Sequence, residues 1–269
     1  MYDIAVIGSG PAGISAAITA LVRGKSVAVV SNPASESGLY KAERIDNYPG
    51  LPAVSGAELS DAFISHARSL GAELFTGKVQ TILPNDDTIF VGYGMEMFEA
   101  RALIFAPGVV RTSAFPGERE LLGLGVSYCA TCDGMLYRGK EVCVVCLSPD
   151  AAEEAEYLRS IGCKVFTTDS KKIAIGGGDR VEWVEIDGQR RSCEGVFVLR
   201  DSVAPDVLIP GLELENKHVR VGASGETNIP GIFAAGDCTG TPYQIAKAVG
   251  EGQLAAFAAV KYLDALKTD

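Results

Sequence analysis

A glycine-rich turn at residues 8–13, which reads Gly-Ser-Gly-Pro-Ala-Gly, constrains the fold of this chain more than any other feature. Gly8 allows a tight turn, Gly10 lets the backbone approach a pyrophosphate, and Gly13 lets a helix pack closely on a strand. The N-terminus of that helix would face the phosphate charge. The flanking sequence predicts a strand, a helix and a second strand at Tyr2–Gly8, Pro11 to about Arg23 and Ser26–Val30. This βαβ unit indicates an α/β fold with a bound dinucleotide.

A second βαβ unit is predicted between residues 141 and 167, but its phosphate loop contains no glycine. The loop reads Cys-Leu-Ser-Pro-Asp-Ala at 146–151. Ser148 is the predicted N-cap of the following helix, Pro149 takes its first position, and the helix is expected to run to Ile161. The second unit therefore keeps the βαβ pattern without the residues that usually hold a dinucleotide phosphate.

Residues 231–237, Gly-Ile-Phe-Ala-Ala-Gly-Asp, form another motif, and this one indicates a flavin. Asp237 can accept hydrogen bonds from ribityl hydroxyls. The closing helix is predicted from Gln244 to about Lys267, and its N-terminus can point at the flavin pyrimidine ring, where negative charge collects on reduction. The two motifs together predict a flavin nucleotide rather than a loop that serves only packing.

A redox pair is predicted at residues 129–133, which read Cys-Ala-Thr-Cys-Asp. Cys129 and Cys132 can switch between dithiol and disulfide with little backbone change, and the local field lowers the pKa of one thiol. The adjacent Asp133 can shuttle the proton that a leaving thiolate needs.

A four-cysteine zinc site is the alternative interpretation of this region, because Cys143 and Cys146 form another Cys-x-x-Cys pair. That second pair lies in a predicted strand, where residues three apart face opposite sides of the sheet. The two thiols could not converge on one metal, so we expect core residues and no metal site. The remaining cysteines are single and are interpreted as structural, at Cys163, Cys193 and Cys238.

Composition and charge narrow the classes of partner. The formal net charge of −10 argues against nucleic acid or an anionic membrane surface. No apolar run reaches the roughly 18–20 residues that span a bilayer, and the first strand begins almost at Met1, which leaves no room for a signal peptide. Seven cysteines, an odd number, suit free thiols in a reducing compartment. We expect a cytoplasmic protein that binds no membrane.

The motifs together resemble the low-molecular-weight thioredoxin reductases. Besides the glycine loop and the two motifs above, the matching segments are Asn-Tyr-Pro-Gly at 47–50, Gly-Val-Ser-Tyr at 125–128 and Ala-Val-Gly-Glu-Gly-Gln at 248–253. The resemblance implies two Rossmann-like, three-layer α/β domains, the second shortened and inserted into the first. The FAD-binding domain would be 1–114 and 206–269, and the inserted redox domain 115–205.

The resemblance also implies roles for individual residues. Cys132 would face the flavin, Cys129 would attack the disulfide of thioredoxin, and Asp133 would be the acid. The ribose contact stays open, because no carboxylate stands directly after the second strand. The residues expected to contact FAD are Gly8, Gly10, Pro11, Ala12, Gly13, Ser31, Asn32, Asn47, Val79, Gly108, Gly236, Asp237, Gln244 and Ile245.

The departures from the family concern the electron donor. Members that use NADPH carry a glycine-rich loop in the inserted domain and basic residues after its second strand. Here Pro149 removes an N–H donor, the basic stretch is replaced by Thr-Thr-Asp-Ser at 167–170, and Asp150 and Asp169 would repel phosphate. This pattern is similar to the divergent branch that includes the ferredoxin-dependent flavin thioredoxin reductases. We therefore expect reduced ferredoxin as the donor, thioredoxin as the acceptor and a homodimer.

Three other functions remain open on sequence alone. The chain could be a flavin-dependent dithiol oxidase that passes electrons from thiols to oxygen, or an NADPH thioredoxin reductase with an atypical loop. It could also be a redox-inert FAD-binding sensor, although an inert site would not need a reactive dithiol. The reductant that bleaches the bound flavin without oxygen distinguishes these functions.

Overall fold

The computed structural model describes residues 1–109, 114–128, 130–149, 151–200 and 204–266, with the backbone alone at Cys132. The chain divides into two compact units, one made of Met1–Val110 and Ala204–Asp269 and the other of Arg111–Val203. The predicted boundaries at residues 114 and 206 lie four and two residues from this division.

The first part of the discontinuous unit alternates strands and helices before a run of antiparallel strands. Its elements are β1 Tyr2–Ile7, α1 Pro11–Val22, β2 Val27–Ser31, α2 Gly56–Ser69, β3 Glu73–Thr76, β4 Val79–Asn85, β5 Thr88–Tyr93 and β6 Glu96–Phe105. Ser55 caps α2 with a complete capping box, since its side chain accepts from the N–H of Glu58 while Glu58 reaches back to the Ser55 backbone.

The inserted unit contains the second βαβ pattern and a small antiparallel sheet. Its elements are β7 Val126–Ser127, α3 Ala130–Asp133, β8 Glu141–Leu147, α4 Ala151–Ser160, β9 Lys164–Thr168, β10 Ile173–Gly176, β11 Trp183–Ile186, β12 Gln189–Ser192 and β13 Gly195–Arg200. One sheet has the parallel order β7-β13-β8-β9, and the other is the meander β10-β11-β12.

The chain then returns to the first unit and ends in a long helix. These elements are α5 Pro205–Leu208, β14 Leu214–Glu215, β15 His218–Val219, β16 Ile232–Ala234 and α6 Ile245–Ala265. Among the residues that the structure describes, no helix is long and apolar enough to cross a membrane.

The long strand β6 organises the sheet of the first unit, whose order is β3-β2-β1-β6-β5-β4. The first half of β6 pairs antiparallel with β5, and its second half pairs parallel with β1 on one side and with β16 on the other. The carboxyl ends of β1, β6 and β16 therefore lie side by side, at the edge where parallel α/β sheets bind ligands.

Helices α1 and α6 pack closely through small residues. A Cβ built on Gly252 would lie 2.0 Å from the carbonyl oxygen of Ala12, so only glycine fits at this crossing. Ala16, Ala20 and Ala255 are fully buried in the same cluster. This close packing holds the start of the glycine loop helix against the closing helix.

The second βαβ unit forms as predicted, with one exception at its turn. Cys143 lies in one core cluster and Cys146 packs against another, which confirms that they face opposite sides of β8. The predicted N-cap at Ser148 is wrong. Helix α4 begins at Ala151. The Ala151 N–H, which a side-chain cap would satisfy, donates instead to the Ser148 carbonyl at 3.2 Å. The Ser148 hydroxyl is therefore buried with no hydrogen-bond partner among the described residues.

Candidate functional site

The glycine loop between β1 and α1 has the geometry that a pyrophosphate requires. Gly8 has a φ of 103°, and a Cβ there would lie 2.2 Å from the Ala106 carbonyl oxygen. A Cβ on Gly13 would lie 1.9 Å from the Gly8 carbonyl oxygen, whereas one on Gly10 would meet no described atom within 4 Å. The first and last glycines thus serve the close packing of strand and helix, and Gly10 leaves an open approach to the N-terminus of α1.

The end of strand β2 is joined to this loop by a side-chain hydrogen bond. Ser31, the last residue of β2, donates a hydrogen bond of 2.8 Å to the hydroxyl of Ser9 inside the loop. Asn32 follows directly. Pro11 is the first residue of α1, and Ala12 is buried beneath α6. The strand β2 therefore ends beside the loop, where a ribose would follow the pyrophosphate.

The second flavin motif is held by charged side chains from α6. The N–H of Gly236 donates to Glu251 Oε2 at 2.8 Å, and Lys247 Nζ donates to the Gly240 carbonyl at 2.7 Å. Lys247 also forms an ion pair with Glu251 at 3.2 Å. These contacts fix the short helical turn that begins at Asp237. Burial raises the pKa of Asp237, with Lys247 opposing and Glu251 reinforcing the shift.

Two predicted flavin residues that are distant in sequence lie together. The side-chain amide of Asn47 donates a hydrogen bond of 2.8 Å to Gln244 Oε1, and Gln244 is the N-cap of α6, directly before Ile245. Both amides keep further donor and acceptor capacity for the polar edge of a ligand. The other two predicted residues lie elsewhere in this unit, Val79 buried at the start of β4 and Gly108, with a φ of 80°, after β6.

Residues 130–133 of the redox motif form the short helix α3. Cys129 and the side chain of Cys132 lie outside the described residues. Asp133 ends the helix, and its Oδ2 accepts a hydrogen bond of 2.7 Å from the hydroxyl of buried Ser127. The predicted acid is therefore fixed at the C-terminal end of the redox turn.

Sequence reasoning missed a carboxylate at the other end of the same turn. Glu154 of α4 accepts a hydrogen bond of 3.1 Å from the backbone N–H of Ala130, the residue that follows Cys129. A single glutamate in a polar helix carries no sequence signal, since Glu153 and Glu156 stand beside it.

The turn after β8 in the inserted unit, which corresponds to the glycine loop of the first unit, has fewer groups that could bind a phosphate. It continues from β8 through Ser148 and Pro149, and proline has no N–H to donate. Burial raises the pKa of the Cys146 thiol, the carboxylate of Asp169, after β9, raises it further, and Arg159 of α4 lowers it. Charges of both signs therefore act on Cys146, and the loss of the N–H donor at Pro149 is what sets this turn apart from the glycine loop.

Comparisons with known proteins show the family to which this chain is similar. The family model described as pyridine nucleotide-disulphide oxidoreductase matches residues 2–185 and 165–252. The thioredoxin reductase of Listeria innocua is 31% identical over 99% of this chain and 95% of the relative. A solved ferredoxin-flavin thioredoxin reductase from Clostridium acetobutylicum is 40% identical, with a TM-score of 0.87, over 100% of this chain and 99% of that chain.

A second solved structure, an atypical thioredoxin reductase from Desulfovibrio vulgaris Hildenborough, is 29% identical with a TM-score of 0.74, over 98% of each chain. FAD is the cofactor of such enzymes. It fits the open glycine loop, the uncapped start of α1 and the polar pair Asn47–Gln244. The prediction that the chain binds FAD is therefore confirmed. The chain therefore belongs to the pyridine nucleotide-disulphide oxidoreductase family, and within it to the FAD-binding thioredoxin-disulfide reductases.

Proposed function

We propose that this enzyme takes electrons from reduced ferredoxin rather than from a nicotinamide, and passes them through FAD and the Cys129–Cys132 dithiol to thioredoxin. The observation that carries the proposal is the contrast between two turns at corresponding positions of the two βαβ units. The first turn has three glycines and an open helix N-terminus. The second has no glycine at residues 146–151 and has Pro149, which lacks an N–H donor.

The lost hydrogen-bond donor opposes a nicotinamide phosphate at the second turn. Each hydrogen bond to a charged phosphate contributes roughly 1.5–3 kcal/mol. Losing one such donor at Pro149 weakens binding by at least about tenfold, which corresponds to about 1.4 kcal/mol. The similarity to a protein named ferredoxin-flavin thioredoxin reductase supports the same donor.

In the proposed reaction the chain's own residues handle thiols and protons. When bound, FAD supplies an electron carrier that accepts electrons from a one-electron donor and passes a pair to a disulfide. Cys132 would be the thiol that faces the bound FAD, and Cys129, as thiolate, would attack the disulfide of thioredoxin. Asp133, held by Ser127, donates a proton to the leaving thiolate.

That the enzyme is a homodimer remains a prediction.

The donor is tested by following the flavin absorbance without oxygen. We expect reduced ferredoxin and dithionite to bleach the flavin, and NADPH and NADH to leave it oxidised. Rapid, stoichiometric bleaching by micromolar NADPH would contradict the proposal. Anaerobic bleaching by dithiols but not by ferredoxin, followed by reoxidation of the flavin when oxygen is admitted, would instead indicate a dithiol oxidase.

The cysteine roles are tested separately. Cys129→Ser and Cys132→Ser should both lose thioredoxin reduction while retaining FAD. Cys132→Ser should accumulate a mixed disulfide between Cys129 and thioredoxin, because the resolving thiol is missing. If the mixed disulfide accumulates instead in Cys129→Ser, the two roles are reversed.

A further inference from the structure

We propose that Lys247 raises the reduction potential of the bound flavin, because its positive charge offsets the negative charges of Asp237 and Glu251. The inference rests on the binding of FAD and on the predicted contact between Asp237 and the ribityl hydroxyls. It does not depend on which donor reduces the flavin. It therefore goes beyond the proposed function, and its test needs neither ferredoxin nor thioredoxin.

Lys247 and Glu251 bind both ends of the short turn at residues 236–240, which we name the flavin turn. Glu251 Oε2 accepts from the Gly236 N–H at 2.8 Å and from the Thr239 hydroxyl at 3.1 Å. Lys247 Nζ donates to the carbonyl oxygens of Gly240 and Gly236 at 2.7 and 3.3 Å. The two side chains stand one helical turn apart on α6 and pair with each other at 3.2 Å. Both charges are therefore fixed directly at the flavin turn.

Asp237 is the residue of the flavin turn that would bind the ribityl chain, and both charges act on it. Its side chain is half-buried. Burial raises its pKa, the positive charge of Lys247 lowers it and the negative charge of Glu251 raises it. The position where the flavin would be held therefore experiences the charge of Lys247.

The place of Lys247 in α6 does not serve the stability of the helix. It is the third residue of α6, and a cation in the first turn is unfavourable because the helix N-terminus already carries a partial positive charge. Within residues 244–266, which the structure describes, the first turn holds no acidic residue and the N-cap Gln244 makes no side-chain capping hydrogen bond. The helix end and Lys247 therefore act in the same direction, and both favour a negative charge in front of α6.

Lys247 can stabilise the reduced flavin, because reduction by two electrons and one proton leaves one negative charge on the pyrimidine ring. Asp237 and Glu251 oppose that charge, whereas Lys247 and the N-terminus of α6 favour it. With Lys247 in place, the three side chains carry one negative charge in excess. Without it they carry two, so the flavin becomes harder to reduce.

The midpoint potential of the bound flavin tests the proposal. It is measured spectroscopically with mediator dyes, without oxygen, at one slightly alkaline pH. We expect Lys247→Gln to lower the equilibrium constant for two-electron reduction about tenfold, which corresponds to a shift of about 30 mV to more negative potential. Glu251→Gln should shift the potential by a similar amount in the opposite direction. Each glutamine keeps a hydrogen-bonding group and removes only the charge.

The double variant Lys247→Gln with Glu251→Gln separates charge from structure. Its potential should return close to that of the wild type, because one negative charge is again in excess. Lys247→Arg, which keeps the charge, should also have the wild-type potential. Lys261→Gln, at an exposed position near the other end of α6, is the matched control and should cause no shift. If the pair only clasps the turn, both single variants should instead bind FAD more weakly and the double variant should be the worst.

Unchanged potentials in both single variants, or shifts of the same sign, would overturn the proposal. If Lys247→Gln does not retain FAD, Glu251→Gln and Lys247→Arg decide: a more positive potential in the first and a wild-type potential in the second support it, and any other result contradicts it. If NADPH proves to be the electron donor, the proposed function fails while these potentials still decide the role of Lys247. If ferredoxin drives turnover and the potentials do not respond, the inference about Lys247 fails alone.

Discussion

Glu118 and Arg200 form a buried, two-pronged ion pair, with Nη1–Oε1 and Nη2–Oε2 distances of 2.5 and 2.7 Å. Their side chains are only 1% and 12% exposed. The same carboxylate accepts from the Tyr128 hydroxyl at 2.8 Å and from the Phe115 N–H at 2.8 Å. One buried charge therefore links the start of the inserted unit, its last strand and the residue before Cys129.

Arg200→Met should destabilise the protein strongly, because it leaves Glu118 as an uncompensated buried charge. We expect a loss of about 3–5 kcal/mol in the free energy of unfolding. The double variant Glu118→Gln with Arg200→Met should recover part of that loss, since no charge then remains buried. Urea unfolding of the FAD-loaded proteins measures both, and equal stability of wild type and Arg200→Met would show that the pair is not buried in solution.

Gly10→Ala and Gly13→Ala should separate cofactor binding from folding. The φ of Gly10 is −73°, which alanine adopts without strain, and its Cβ would point into the open approach to α1. We expect Gly10→Ala to keep its stability and bind FAD at least about tenfold more weakly. Gly13→Ala must displace the Gly8 carbonyl and should lose about 1–3 kcal/mol of stability as well. Tight FAD binding by Gly10→Ala would place the pyrophosphate elsewhere.

Alkylation should distinguish the redox pair from the buried thiols. Burial raises the pKa of Cys143, Cys193 and Cys238 to about 12. At about pH 8 roughly 10⁻⁴ of each is thiolate, so native, reduced enzyme should be alkylated at Cys129 and Cys132 first. Mass spectrometry locates the label, and equally fast labelling of Cys143 would contradict the assignment.

The raised pKa values of these buried thiols predict that the protein becomes less stable at alkaline pH. A folded-state pKa above the unfolded value means that the native protein holds protons that the unfolded chain releases. The contribution of the protonated thiols to the free energy of unfolding is complete below about pH 9. It is lost as pH rises through about 12. Urea midpoints should fall across this range, and constant midpoints would contradict the shifts.

Charge reversal at Lys171 and Lys172 should slow ferredoxin-driven turnover. Residues 159–200 of the inserted unit carry a small positive excess in an acidic chain, and ferredoxins are typically acidic. Both lysines are exposed, whereas Arg190 and Arg191 pair with Glu185 and Glu141 at 3.3 and 2.7 Å, which offsets their charge.

Raised salt should slow the wild type, and reduction by dithionite should be unaffected by either change. Lys261→Glu, an exposed lysine on α6, is the matched control. Ferredoxin turnover that ignores both salt and the reversal at Lys171 and Lys172 would mean that the donor docks elsewhere.

The sequence predicts features that arise from local spacing. The glycine loop follows from its motif between a strand and a helix, the start of α6 at Gln244 follows from the helical segment after it, and the opposite faces of Cys143 and Cys146 follow from the period of a strand. The Ser148 cap failed because the turn before α4 satisfies the helix through a backbone carbonyl, which no residue preference reveals.

Contacts between distant segments could not be predicted in the same way. Glu118 lies 82 positions from Arg200, and Glu154 lies 24 positions from Ala130. Such pairs depend on how the sheets bring segments together, and a lone charged residue looks like a solvated surface residue until its neighbours are known. The Asn47–Gln244 contact was not predicted, since the family resemblance only placed each of the two residues beside FAD.

The most direct test of this account is anaerobic thioredoxin reduction with the donor as the only variable. Purified enzyme, oxidised thioredoxin and either pre-reduced ferredoxin or NADPH are mixed, and thioredoxin thiols are counted. We predict one reduced disulfide for every two electrons that ferredoxin delivers and no thiols above background with NADPH. Thiol formation with NADPH as fast as with ferredoxin, or none with ferredoxin, would contradict the proposed electron path.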